Sequence, residues 1–238
     1  VSGLTLETYN GVYQLFNWLP FLWQTGADFI TEDGYTELDP ERTAQMYGFF
    51  RQMIQEQTIN MNPSRPTNDI GIIANGETAM QVSGSWSIRM LETNYSEQPI
   101  RVVPLPVMEG SEPLTIAGGW KIAANRASEH AEEAADFIMW AFAGDPGIPL
   151  RWCTEVKFAY SPRKSVMTAA DEIYQRGLRS VFTDQIYGTE RQEPRLPQEL
   201  NTIFSDGLQQ LLYTQIPVSD IIAEQNSRIR TFLSDSEK

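Results

Sequence analysis

Apolar residues recur at helical spacing through much of the chain, interrupted by glycine and proline. The stretch 7–19 places Tyr9, Val12, Tyr13, Phe16 and Leu19 on one predicted helical face, and Pro20 interrupts it before "FLWQTGADF". The clearest helix signal is "LDPERTAQMYGFFRQMIQEQ". Asp39 is a good N-cap, Pro40 suits the first helical position, and Met46, Phe49, Phe50, Met53 and Ile54 form a stripe. "SEHAEEAADFIMWAFAG" predicts a helix capped by Ser128, with Ala134, Ile138, Ala141 and Phe142 on its buried face. Two further helices follow near the end. One carries Leu200, Ile203, Phe204, Gly207, Leu208 and Leu211. The other begins at Pro217 and carries Val218, Ile221, Ile222, Gln225 and Ile229.

Between the helices lie short strand signals. "DIGIIANGETAMQVSGSW" reads as a short helix, an Asn75-Gly76 stop and then a strand, because glycine takes the left-handed conformation cheaply. "IRVVPLP" predicts a strand ended by prolines, and "AGGWKIAAN" a strand opened by two glycines. Pro63 to Asn68 is loop-like. The whole predicts α/β packing, a small sheet covered by helices. The opening "VSGLTLETYNG" enters a helical pattern with no strand before it and shows no signal peptide, which reads as part of a longer chain.

Composition narrows the function. The 238 residues suit one large domain or two small ones, with 41% hydrophobic and 21% charged residues. No apolar run is long enough to span a membrane. The net charge of −13 and pI near 4.5 argue against a polyanion partner such as nucleic acid. One cysteine, Cys153, excludes an internal disulfide. With one histidine, His130, it cannot complete a transition-metal site alone. His130 lies in a predicted first helical turn with no nucleophile motif nearby, so a catalytic triad is not indicated. No cofactor is indicated either: the glycine-rich phosphate loops are missing from the sequence.

Three tryptophans stand beside small-residue turns: Trp23 in "PFLWQTGADF", Trp86 in "SGSW" and Trp120 in "AGGW". A single tryptophan is more often core. Three beside such turns favour a pocket, because aromatic faces stack on the apolar faces of a sugar ring. "FAYSPRKSV" adds Tyr160 and Arg163, whose guanidinium either sits in solvent or reaches a substrate oxygen. Paired carboxylates suited to glycoside cleavage do not sit beside these turns.

In their order and spacing, "FLWQTGADF…LDPERTAQMYGFFRQMI", "NGETAMQVSGSW", "VVPLPVMEGSEPLTIAGGWKIAANRASEHAEEAADFIMWA" and "FAYSPRKSV" resemble the extracellular solute-binding proteins of family 1. These are the maltose-binding-like receptors of ABC sugar importers. The resemblance implies an α/β, periplasmic-binding-protein type II-like lobe, mostly helical with a small mixed sheet, and a first lobe largely outside this sequence. It assigns residues 1–107 and 146–238 to the second lobe. Residues 108–145 become a hinge strand and helix of the first.

The resemblance implies a non-catalytic substrate-binding component, extracytoplasmic, in the periplasm or on the cell surface as a lipoprotein. It would bind a sugar or oligosaccharide in an interlobe cleft and pass it to membrane permease subunits. Trp86 is the foremost ligand residue. Trp23 with Gln24, Gly118 and Gly119 with Trp120, Tyr160 and Arg163 match other cleft-facing positions. The alternatives are a carbohydrate-active enzyme or a protein-interaction module reusing the lobe. The segment from about Ile116 to Gly144 is expected to lack support within this chain, with Ile138, Ala141 and Phe142 exposed and an edge open to self-association.

Overall fold

The structure is a computed structural model that describes residues 1–119 and 121–236. Half of it is helical. In chain order the elements are β1 (Ser2–Thr5), α1 (Val12–Gln24), β2 (Ile30–Thr31), β3 (Gly34–Tyr35), α2 (Pro40–Gln55), α3 (Gly71–Ala74), β4 (Thr78–Gln81), α4 (Ile88–Asn94), β5 (Thr115–Ala117), α5 (Ala131–Ile138), α6 (Gly147–Arg151), α7 (Lys164–Tyr174), α8 (Arg179–Val181), β6 (Glu190–Gln192), α9 (Gln198–Tyr213) and α10 (Val218–Ser236). The chain divides into two compact units. Unit 1 takes residues 1–83, 105–117 and 189 onward, and unit 2 takes 84–104 and 118–188. None of these boundaries coincides with the expected segment limits after residues 107 and 145.

Unit 1 is built on long helices. α2 starts as its sequence requires: the Asp39 carboxylate accepts from the Arg42 amide at 3.0 Å, and Pro40 opens the helix. Met46, Tyr47 and Phe50 are fully buried, while Phe49 is half exposed. α9 and α10 bury the predicted faces, Leu200, Ile203, Phe204, Leu208 and Leu211 on one and Ile221, Ile222 and Ile229 on the other. Two buried amides tie them in. Asn226 exchanges two 2.8 Å hydrogen bonds with the backbone of Leu38. Gln225 accepts from the Tyr47 hydroxyl at 3.1 Å and donates to the Ile203 carbonyl at 3.3 Å. Desolvation raises the Tyr47 phenol far above its ordinary value, so it stays a neutral donor.

Five expectations need correction here. The first helix runs straight through Pro20 to Gln24. It buries Leu15, Trp18, Leu19, Phe21, Leu22 and Trp23, leaving Tyr9 and Val12 exposed. It is enclosed on most sides, so a stripe chosen from one periodicity matches it only in part: Leu19 is buried, Tyr13 and Phe16 are partly buried, and Tyr9 precedes the helix. The opening residues do form a strand: β1 pairs in parallel with β4, Leu4 opposite Met80. "IRVVPLP" forms no strand among the described residues, since Pro104 and Pro106 lack the amides a ladder needs. The strand expected after the glycines lies before them instead, at Thr115–Ala117, paired in parallel with β6. Among the described residues parallel and antiparallel pairs both occur, as three separate two-stranded sheets rather than one mixed sheet.

Unit 2 is made of short helices. Three of them, α5, α6 and α8, run into π turns at Met139–Ala143, Trp152–Val156 and Phe182–Ile186. The backbone closes each turn five residues on, as from the Gly144 amide to the Met139 carbonyl at 2.7 Å. The expected inward face of α5 is only partly realised: Ala141 is buried, Ala134, Ile138 and Phe142 are partly buried. Phe137, Met139 and Trp140 are the exposed large residues there, at 54%, 60% and 63%. The expectation that Ile138, Ala141 and Phe142 stand in solvent is therefore corrected to the opposite face.

Candidate functional site

Trp86 shows why small residues precede it. The 3₁₀ turn Ser85–Ser87 folds the indole back over Gly84, where an added Cβ would lie 2.0 Å from the ring. Gly84 has ordinary extended dihedrals, φ −134° and ψ 179°. It is glycine for space, not for conformation. Trp86 is therefore seated on a bare backbone surface and remains partly exposed.

Tyr160 sits in an aromatic cluster. Its ring lies 4.9 Å from Tyr174, 4.9 Å from Tyr187 and 5.5 Å from Phe158. Its hydroxyl meets the Thr183 Oγ1 at 2.8 Å. Tyr174 is buried and donates to the Ala159 carbonyl at 2.7 Å. Burial, with Cys153 and Tyr160 beside it, raises the Tyr174 phenol well above its ordinary value. Burial likewise pushes up the Cys153 thiol, which disfavours the reactive thiolate. Arg163 donates to the carbonyls of Phe142 and Gly144 at 3.0 and 3.1 Å. Those carbonyls end the α5 π turn, so the guanidinium serves as a C-terminal cap in this structure.

Trp23 and Gln24 lie at the end of α1 in unit 1. Trp23 is 5% exposed, and the Arg191 guanidinium lies over its ring at 4.5 Å. Arg191 is ion-paired to Asp28. Gln24 is buried. Its amide nitrogen donates to the carbonyls of Pro106 and Leu114 at 3.2 and 3.3 Å, and its oxygen accepts from the Met108 amide at 3.0 Å. It pins the 106–114 loop to α1.

Gly118 and Gly119 are exposed directly after β5, and a Cβ at Gly119 would meet nothing within 4 Å. Trp120 lies outside the described residues. Trp86, Gly118, Gly119, Tyr160 and Arg163 thus belong to unit 2, Trp23 and Gln24 to unit 1. Sequence reading missed two groupings. Arg191 and Asp28 are 163 positions apart, so no local pattern links them. Tyr187 precedes Gly188, the same aromatic-beside-glycine signal that singles out the tryptophans. No group of acidic, histidine or cysteine side chains among the described residues could hold a metal ion. No helix among them is long and apolar enough to cross a membrane.

The fold is that of known solute receptors. Maltose-bound MalE3 from T. maritima superposes with a TM-score of 0.77 at 18% identity, covering 98% of this chain and 61% of that one. The GacH receptor of Streptomyces glaucescens, solved unliganded and with acarbose, gives 0.80 at 17% identity, covering 99% and 60%. UgpB from Mycobacterium tuberculosis with glycerophosphocholine gives 0.72 at 16% identity, covering 100% and 59%. The chain thus spans about three fifths of these proteins' length. No curated protein sequence matches at a significant level. Residues 8–145 match the bacterial extracellular solute-binding proteins, and the chain belongs to that family.

Proposed function

We propose that this chain is the main part of a sugar-binding, non-catalytic receptor of an ABC importer, working outside the cytoplasm and delivering its ligand to membrane permease subunits. Family membership carries this reading, and the structural neighbours include receptors bound to maltose and acarbose. In the site, Trp86 supports it best: a partly exposed indole seated on Gly84 offers a rigid flat face to a sugar ring. Tyr160 stands in a braced aromatic cluster. In the described conformation Trp23 lies under Arg191, and Arg163 and Gln24 hold backbone carbonyls. Their part in binding is to shape the loops around the ligand. Gly118 and Gly119 leave exposed backbone directly after β5, and Trp120, which follows them in the sequence, is proposed as a ligand residue on the family resemblance alone.

The lobe assignment is part of the proposal. Residues 1–107 and 146–238 form the second lobe and 108–145 belong to the first. The exposed Phe137, Met139 and Trp140 support this, since a helix apolar on both sides calls for cover. In a complete receptor a first lobe supplies that cover. The isolated chain self-associates there instead.

Titration with maltotriose by calorimetry tests the reading, with glycerophosphocholine in parallel. Saturable sugar binding without turnover is expected. Trp86→Ala should weaken it by about 1–3 kcal/mol, the scale for a desolvated aromatic contact, with little change in melting temperature. Hydrolysis of the sugar, or preference for glycerophosphocholine, overturns the sugar-receptor reading. Unchanged affinity in Trp86→Ala removes Trp86 from the site.

A further inference from the structure

We infer that Tyr187, carried on Tyr160, is a second sugar-stacking position. The inference rests on the sugar-receptor reading and extends it to a residue outside the motifs that suggested it. Tyr187 is 57% exposed, yet its base is fixed. Its amide donates to the Phe182 carbonyl at 2.7 Å and closes the third π turn. Its backbone then turns to ψ 126°, and Gly188 follows at φ 96°, a conformation that favours glycine. The ring rests against Tyr160, centroids 4.9 Å apart at 45°.

Tyr160 is braced in turn. Its hydroxyl meets the Thr183 Oγ1, which also donates to the Tyr174 carbonyl at 3.0 Å, and its ring packs on Tyr174 and Phe158. Phe158 and Tyr174 are each 1% exposed. A solvent-facing ring on a buried aromatic base loses little freedom when a ligand lands on it, which is what makes tyrosine an efficient contact residue. Its outward surface suits the C–H face of a pyranose, and its phenol adds a donor and acceptor at the rim. Trp140 and Trp152 are similarly exposed, but no comparable buried aromatic base stands under either among the described contacts.

The test measures maltotriose affinity of the unsubstituted chain and of Tyr187→Ala, Tyr187→Leu and Tyr187→Phe, each checked for folding by circular dichroism. Tyr187→Ala and Tyr187→Leu should weaken binding roughly 3- to 10-fold, the range for one aromatic contact, at unchanged melting temperature. Tyr187→Phe should stay within about 2-fold, because the ring face is kept. If the unsubstituted chain binds and Tyr187→Ala binds equally well, this inference is overturned and the receptor reading stands. Equal losses in Tyr187→Phe and Tyr187→Ala also overturn it, since the hydroxyl and not the face would then matter. Failure of the unsubstituted chain to bind maltose or maltotriose overturns both.

Discussion

Unit 1 and unit 2 solve the same problem differently. In unit 1 the buried residues form one cluster from Leu6 to Ile229, fed by four long helices, and the buried amides of Gln225 and Asn226 have partners. In unit 2 the buried apolar side chains are few, chiefly Ile88, Leu91, Phe158, Val166 and Tyr174. Much of its cohesion runs from side chain to backbone or between charges. Arg163 caps the α5 π turn, and Arg179 reaches Glu92 at 2.8 Å and the Thr154 carbonyl at 3.3 Å. Meanwhile Ile122, Phe137, Met139, Trp140 and Trp152 face out. Both units leave some large apolar side chains exposed, Tyr9, Val12 and Phe49 among them in unit 1, but unit 1 does so around a large buried cluster and unit 2 around a small one. The display in unit 2 is where a ligand or a further lobe has something to gain.

The sharpest way to break this contrast is to cut the core of unit 1. Phe204 is 1% exposed and meets Phe29 edge to face at 5.3 Å. Phe204→Ala should cost about 3–5 kcal/mol in urea unfolding, through lost transfer energy and the cavity left behind. A loss under about 1 kcal/mol would mean the cluster is loosely packed and the contrast is false.

What the sequence revealed divides along the same line. α2, α9 and α10 were legible because each buries one face over four or more turns, and caps such as Asp39 mark where they begin. α1 was half legible: being enclosed on most sides, it has no single stripe to find. The unit 2 helices were poorly legible. They are short, and π turns shift the period from 3.6 residues just where a stripe would be counted. β1 was missed because its partner β4 lies over seventy residues away. In the candidate site, Trp86 is marked by the small-residue turn before it, and Tyr160 by the "FAYSPRKSV" stretch and the family resemblance. The stacking of Arg191 on Trp23 is not marked in the sequence, since it depends on β6 being brought beside α1 by the fold.

A smaller effect is expected at Gly207. Alanine is the better helix former, by about 1 kcal/mol. Yet a Cβ there would lie 2.1 Å from the Gln225 Nε2. Gln225 is 2% exposed and engaged with Tyr47 and the Ile203 carbonyl, so it cannot simply swing away. Overpacking wins, and Gly207→Ala should destabilise by about 1–3 kcal/mol in thermal unfolding. The double variant Gly207→Ala/Gln225→Ala sharpens the point. If the clash is the cause, the double variant should lose less than the sum of the two single losses. A stabilised Gly207→Ala would show that propensity outweighs packing between α9 and α10.

The smallest effect belongs to unit 2. Trp140 is among the largest side chains in the chain, and by size alone its removal should rival Phe204. It is 63% exposed, and its one described ring neighbour, Phe137 at 6.0 Å, is itself more than half exposed. Little apolar surface leaves water when Trp140 folds into place, so little is lost when it goes. Trp140→Gln should stay within about 0.5 kcal/mol of the parent in urea unfolding. It should also lower the sedimentation coefficient of the concentrated chain, because it removes the centre of the exposed face offered for association. The two readouts separate the causes. A loss above about 2 kcal/mol in a strict monomer would mean the indole is covered by this chain in solution, and unit 2 would then have a core of its own. Unchanged stability with unchanged self-association would leave the face exposed but move the contact between copies elsewhere.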